Sequence, residues 1–389
     1  MLKDFIYNIP TKVYFGQGYL SELPKELKAC GNKVLLTYGG GSIKKNGLYD
    51  KIMTLLNEAD LEVFELSGIE PNPRITSVAK GADLCKKEDI DVILAVGGGS
   101  VIDASKFMAA GRYYEGDYWD LVKKKAPIEK ALPLITVLTI AATGSEMDPG
   151  GVITNMETQE KLGRTDPLMQ PKVSFMDPTN TFSVSAYQTA CGAADILSHI
   201  FEIYFAREEG MYMLDKFLEG LMKTVIRYAP IALAEPENYE ARANLMWASS
   251  WAINNFARID KPHKWSCHPL EHELSAFYDI THGLGLAILT PRWMKHILNE
   301  KTLDAFVKFG VEVWEIDYNL PKEVIAKEAI RSLEDFLYKD LKLTDNLSAL
   351  NIDDEYFEVM AKRVTANGPI KGFVDLDYED CLAIYQNSL

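Results

Sequence analysis

The sequence predicts an α/β domain built on a parallel sheet over residues 1–183, followed by an all-helical domain over residues 184–389. Three observations lead there. Short β-branched runs alternate with helix-like stretches through roughly the first 180 residues. Glycine clusters close two of those runs. Beyond Asp177-Pro178 glycine thins out and helical periodicity takes over. A length of 389 residues accommodates two domains at about 100–200 residues each.

Val34-Leu35-Leu36-Thr37 is the first run and ends at Gly39-Gly40-Gly41. Val92 to Val96 is the second and ends at Gly97-Gly98-Gly99; Leu134 to Leu138 is the third. Continuous apolar runs of this length suit strands covered on both faces, as in a Rossmann-like parallel sheet. Residues 46–58 and 74–87 read as the helices between them, and a further helix opens at the second glycine cluster and runs to about Ala110. In the second half, Leu214, Phe217, Leu218, Leu221 and Val225 fall on one helical face. Residues 241–256 and 322–337 also read as helices.

The formal net charge of −15 counts against nucleic acid and against an anionic membrane surface, both of which need a basic face. A hydrophobic content of 47% and a charged content of 25% are those of an ordinary folded protein, which argues against disorder. No apolar run approaches the roughly 18–20 residues of a spanning helix. The opening MLKDFIYNIP lacks the pattern of a signal peptide. Five scattered cysteines with no CxxC pair suit reduced thiols, so a cytoplasmic protein is expected.

Four motifs carry chemistry. Gly97-Gly98-Gly99-Ser100 follows a strand and opens a helix, whose free N–H groups suit a phosphate. A tight strand-to-helix turn is the other reading, and Asp103 in the first turn is favoured by the helix dipole in either case. Gly39-Gly40-Gly41-Ser42, with Lys44-Lys45 next, is either a second phosphate turn or a surface loop; two such turns in one sheet favour a dinucleotide. Four of the six histidines, His263, His268, His272 and His282, fall within twenty residues, and Asp195 and His199 share a helical face at i, i+4. Any one histidine alone is more simply a core or surface residue. Together with the aspartate they form an N/O donor set for a divalent Fe, Zn or Mn ion. Thr139 to Glu146, again after a strand, is a small-residue loop suited to a cofactor, or an ordinary capped turn.

In combination these stretches resemble the iron-containing (group III) alcohol dehydrogenases, on the branch of butanol dehydrogenases and NADPH-dependent aldehyde reductases. The resemblance rests on Tyr38 to Lys45, Pro71-Asn72-Pro73, Gly97 to Asp103, Ala142 to Glu146, Gly192 to His199 with Glu202, and Cys267 to Gly283, in that order along nearly the whole chain. It implies Asp195, His199, His268 and His282 as ligands of one divalent metal, iron(II) with zinc(II) as the alternative. It implies that Gly98, Gly99 and Ser100 bind the pyrophosphate, with Gly97 and Asp103 in the same turn, and that Asn72, Thr139, Thr143 and Lys161 line the cofactor. His272 would lie near the nicotinamide and substrate without ligating metal, as a proton relay. Ile140 and Ala142 stand where the family more often has threonine and glycine.

The implied reaction is reversible hydride transfer between a primary alcohol, such as butanol, and a nicotinamide in a homodimer. Glycerol dehydrogenases and the NAD- and metal-dependent dehydroquinate synthases, which are lyases, are the similar alternatives. NADP(H) is expected over NAD(H), because Gly39 to Gly41 offer no carboxylate to hold a ribose 2′-hydroxyl or repel a 2′-phosphate. Ser42 and Lys44 or Lys45 could instead hold that phosphate. Trp251, Phe256, Trp265 and Phe277 point to an apolar pocket, with helical core packing as the other reading.

Overall fold

A computed structural model describes residues 5–206, 211–257, 259 and 264–389. His263 lies outside the described residues. Among the described residues the strands are β1 (Lys12–Phe15), β2 (Lys33–Tyr38), β3 (Glu62–Leu66), β4 (Val92–Gly97), β5 (Leu134–Leu138), β6 (Gly150–Asn155), β7 (Glu160–Thr165) and β8 (Val173–Met176). Six form one parallel sheet in the order β1-β8-β5-β4-β2-β3, and β6-β7 is a separate antiparallel pair. Alternation along the strands loads both faces. Leu35, Ile93, Ala95 and Leu134 enter one apolar cluster, while Val34, Leu36, Val92, Leu94 and Ile135 enter the other. This is the α/β arrangement that uninterrupted apolar strands require.

The described residues form two compact units, one comprising residues 8–184 with 236–250, the other the remaining described residues. The sequence places one cut near residue 183. The structure crosses a second time, because the first part of the helix Tyr239–Ile253 packs with the α/β unit. Met246 is fully buried in a cluster on the sheet, Trp247 meets Phe15 edge-on at 5.3 Å, and the Ser250 hydroxyl donates to the Glu146 carboxylate. Periodicity predicts a helix here but not the unit against which its face is buried.

The helical unit contains Ala186–Tyr204, Tyr212–Ala234, Cys267–Tyr278, His282–Ile297, Leu303–Trp314, Lys322–Asp335, Phe357–Val364 and Tyr378–Gln386. On Tyr212–Ala234 the buried stripe runs Leu214, Leu218, Met222, Val225 and Ala229; Phe217 and Leu221 are only half-buried at its edge. Among the described residues no helix is long and apolar enough to cross a membrane.

Candidate metal centre and nucleotide turns

The helix Ala186–Tyr204 starts with the Ser185 hydroxyl accepting from the Gln188 N–H at 3.2 Å, and it is buried nearly all round from Thr189 onward. It brings Asp195, His199 and Glu202 into the interior, each about 4% exposed. The helix His282–Ile297 begins at the histidine itself and lies against the first helix. Gly283 permits that approach: a Cβ there would sit 2.0 Å from the Cys191 carbonyl oxygen. His268 comes from the first turn of Cys267–Tyr278.

Donor atoms of Asp195, His268 and His282 lie within 4.8 Å of one another. His282 Nε2 is 3.7 Å from Asp195 Oδ1, and His199 Nδ1 is 3.6 Å from the same oxygen. Both exceed hydrogen-bond range, yet both suit ligands each about 2.0–2.2 Å from a shared ion. His268 Nε2 is buried with no hydrogen-bond partner. Such a nitrogen, beside a carboxylate and a second imidazole, fits a divalent metal. Three of the four expected ligands therefore form one group. His199 stands beside it, its ring stacked on His268 with centres 4.7 Å apart.

A second trio, Glu271, His272 and His282, also lies within 4.8 Å. There the Glu271 oxygens are already engaged, one by the Ser275 hydroxyl and the other by His282 Nδ1. His272 is half-buried, its ring centre 5.8 Å from that of His282 and 6.4 Å from that of His268. Trp265 covers one side of the centre, 4.3 Å from the His268 ring. Trp251 and Phe256 pack edge-on with Phe217, and Phe277 packs on Tyr356, so these three serve the core. His296 is elsewhere, bonded to Asp380 at 2.8 Å.

In the α/β unit, β4 ends at Gly97 and the helix Gly99–Gly111 begins two residues later. A Cβ on Gly98 would lie 2.3 Å from Ile140, and one on Gly99 2.3 Å from the Thr143 hydroxyl. The turn and the Thr139–Ser145 loop are thus in direct contact, and Thr139 N–H donates to Gly97 at 3.1 Å. Asn72 is buried in the left-handed region at φ 48°. Lys161 is buried opposite Thr154 in the β6-β7 pair, and Arg74 bridges to that same Thr154.

Asp103, expected beside the cofactor, has an internal task. It accepts from the Ser145 hydroxyl at 2.5 Å and from Val152 N–H at 2.9 Å. Desolvation raises its carboxyl above the ordinary range against the pull of Lys106. Lys106, which no sequence motif marks, is fully buried and donates to Ser145, Asp148 and Gly150. A lysine inside a helix carries no sequence sign of that burial.

The Gly39–Ser42 turn leads into a helix of only four residues, with Gly41 at φ 98°. Nothing lies within 4 Å of a Cβ built on Gly40. The Lys44 amine sits 5.1 Å from the Tyr38 ring centre and 4.3 Å from that of Tyr49, and both phenols donate to Glu65.

Comparison with known proteins adds four findings. Residues 10–178 match the iron-containing alcohol dehydrogenase family, and residues 189–389 match the C-terminal domain of the Fe-containing alcohol dehydrogenase family. The chain is 51% identical over 387 residues to NADH-dependent butanol dehydrogenase A of Clostridium acetobutylicum, covering 99% of each. It is 34% identical over 370 residues to the NADPH-dependent aldehyde reductase YqhD of Escherichia coli, covering 94% of each. The crystal structure of an NADH-dependent butanol dehydrogenase A from Thermotoga maritima superposes with a TM-score of 0.94 at 37% identity, covering 100% of this chain and 99% of that one.

Proposed function

The chain belongs to the iron-containing alcohol dehydrogenase family and is an NAD(P)-dependent alcohol dehydrogenase, and from that premise we propose that it interconverts a primary alcohol such as butanol and its aldehyde. The observation that carries the metal half of this reading is the buried, partnerless Nε2 of His268 in a group with Asp195 and His282. Leaving such a nitrogen unsatisfied costs about 1–3 kcal/mol, which a ligated ion removes. A divalent ion held by Asp195, His199, His268 and His282, iron(II) first and zinc(II) as the alternative, supplies Lewis acidity to the substrate oxygen, and the nicotinamide supplies or accepts hydride.

The protein's own residues do the rest. Gly98, Gly99 and Ser100 present backbone N–H groups to the pyrophosphate at a helix N-terminus. Asn72, Thr139, Thr143 and Lys161 line the nucleotide, while Gly97 and Asp103 hold the turn in shape. His272 moves the proton, since imidazole exchanges protons near neutral pH. Trp265 offers an apolar face beside His268, which favours a hydrocarbon chain over a polyol.

The expected preference for NADP(H) becomes a tolerance in this reading. The carboxylate-free turn supports acceptance of a 2′-phosphate, but Lys44 is already engaged with Tyr38 and Tyr49. Of the three similar proteins named above, two carry NADH-dependent names and one an NADPH-dependent name. Butanal reduction should proceed with both cofactors, their kcat/KM values lying within roughly tenfold. Gly40→Asp should depress kcat/KM for NADPH far more than for NADH. Absence of butanal turnover with either cofactor, alongside rapid glycerol oxidation, contradicts the substrate reading.

A further inference from the structure

Two buried carboxylates meet the Nδ1 atoms of His268 and His282. Glu202 is one turn beyond His199 on its helix and is 4% exposed. One of its oxygens accepts from the Ser266 N–H at 2.7 Å. The other accepts from Cys267 N–H at 2.7 Å and His268 N–H at 2.9 Å, and lies 3.2 Å from His268 Nδ1. Ser266 provides no side-chain cap for the helix Cys267–Tyr278, so Glu202 caps it from a neighbouring helix. Its charge also offsets the positive end of that helix, where a cation would otherwise be disfavoured.

Glu271, which is fully buried, repeats the arrangement on His282. One of its oxygens meets His282 Nδ1, and the other accepts from the Ser275 hydroxyl. Room for it comes from the facing helix: a Cβ on Gly285 would lie 2.9 Å from Glu271 Cγ. Each histidine thus has a carboxylate at Nδ1, while His268 Nε2 is buried without a hydrogen-bond partner and His282 Nε2 faces Asp195 Oδ1 at 3.7 Å.

An ionised carboxylate only accepts hydrogen bonds, so the neutral ring facing it carries its proton on Nδ1 and keeps a lone pair on Nε2. We propose that Glu202 and Glu271 are positioning residues that fix this tautomer in His268 and His282, so that both Nε2 lone pairs are presented to one metal ion. This assigns Glu271 to the far nitrogen of His282 rather than to an ion of its own with His272. The proposal rests on the metal-site reading given above.

The test uses the full-length protein loaded with Zn2+, with the dissociation constant measured by chelator competition at fixed pH. Glu202→Ala and Glu271→Ala should each weaken Zn2+ binding about 10–100-fold. Glu271→Gln keeps an acceptor for His282 and should fall between Glu271→Ala and the unsubstituted protein. If both alanine variants bind within about twofold of the unsubstituted protein while His268→Ala and His282→Ala lose the metal, the positioning role is wrong and the ligand assignment stands. If the histidine variants also retain full affinity, the ligand assignment itself fails. Should the alanine variants not fold, 15N-histidine spectra of the unsubstituted Zn2+-loaded protein decide. Protons on Nδ1 of His268 and His282 support the proposal, and a proton on Nε2 of either ring overturns it.

Discussion

At the scale of single residues, ligands and the proton carrier differ in what their loss removes. His268→Ala or His282→Ala should remove most bound metal and nearly all turnover, read by elemental analysis and butanal reduction. His272→Ala should keep its metal while turnover falls about 10²–10⁴-fold and the pH profile changes. Metal loss on that last change would move His272 into the ligand set, as the Glu271–His272–His282 trio would allow. The histidines were legible in sequence because four clustered residues in a histidine-poor chain stand out. Glu271 was not, since an acid on a helix looks the same whether it is solvated or fully buried beside His282. Glu202 was visible only as part of a motif, and its capping of residues 266–268 arises from tertiary packing.

At the scale of elements, one close approach sets the geometry of the centre. The helices that carry Asp195 and His282 touch at Gly283. Gly283→Ala would force its methyl into the Cys191 carbonyl, and backbone cannot yield as a flexible side chain can. The expected cost is about 1–3 kcal/mol or more, read as a lower midpoint in denaturant, together with weakened metal binding as His282 moves off Asp195. Unchanged stability and metal content would show that these helices can separate without consequence. The strands were legible because runs such as Val92 to Val96 are too apolar to face water on either side, and they occupy the middle of the sheet. The partnership of Tyr239–Ile253 with the sheet was not, because its apolar residues are spread round the helix and do not name the surface it covers.

At the scale of the whole molecule, burial controls thiol chemistry. Cys85, Cys191, Cys267 and Cys381 are buried, and only Cys30 is partly exposed. Desolvation pushes Cys85, Cys191 and Cys381 up to about 12 and Cys267 well above its ordinary value. The thiolate is the reactive form, so at pH 8 these four should stay inert while the fold holds. A chromogenic disulfide reagent should titrate one thiol rapidly in the native protein and all five after unfolding.

The central claim is that the Asp195–His268–His282 group holds the metal on which alcohol dehydrogenase activity depends. Stripping the protein with a chelator, removing the chelator, and restoring Fe2+ or Zn2+ stepwise while following NADH-linked butanal reduction tests it most directly. Turnover of the stripped protein should be negligible and its recovery should saturate near one metal per chain, with no recovery in His268→Ala. Full turnover by protein shown to be metal-free, or equal recovery in His268→Ala, would contradict it.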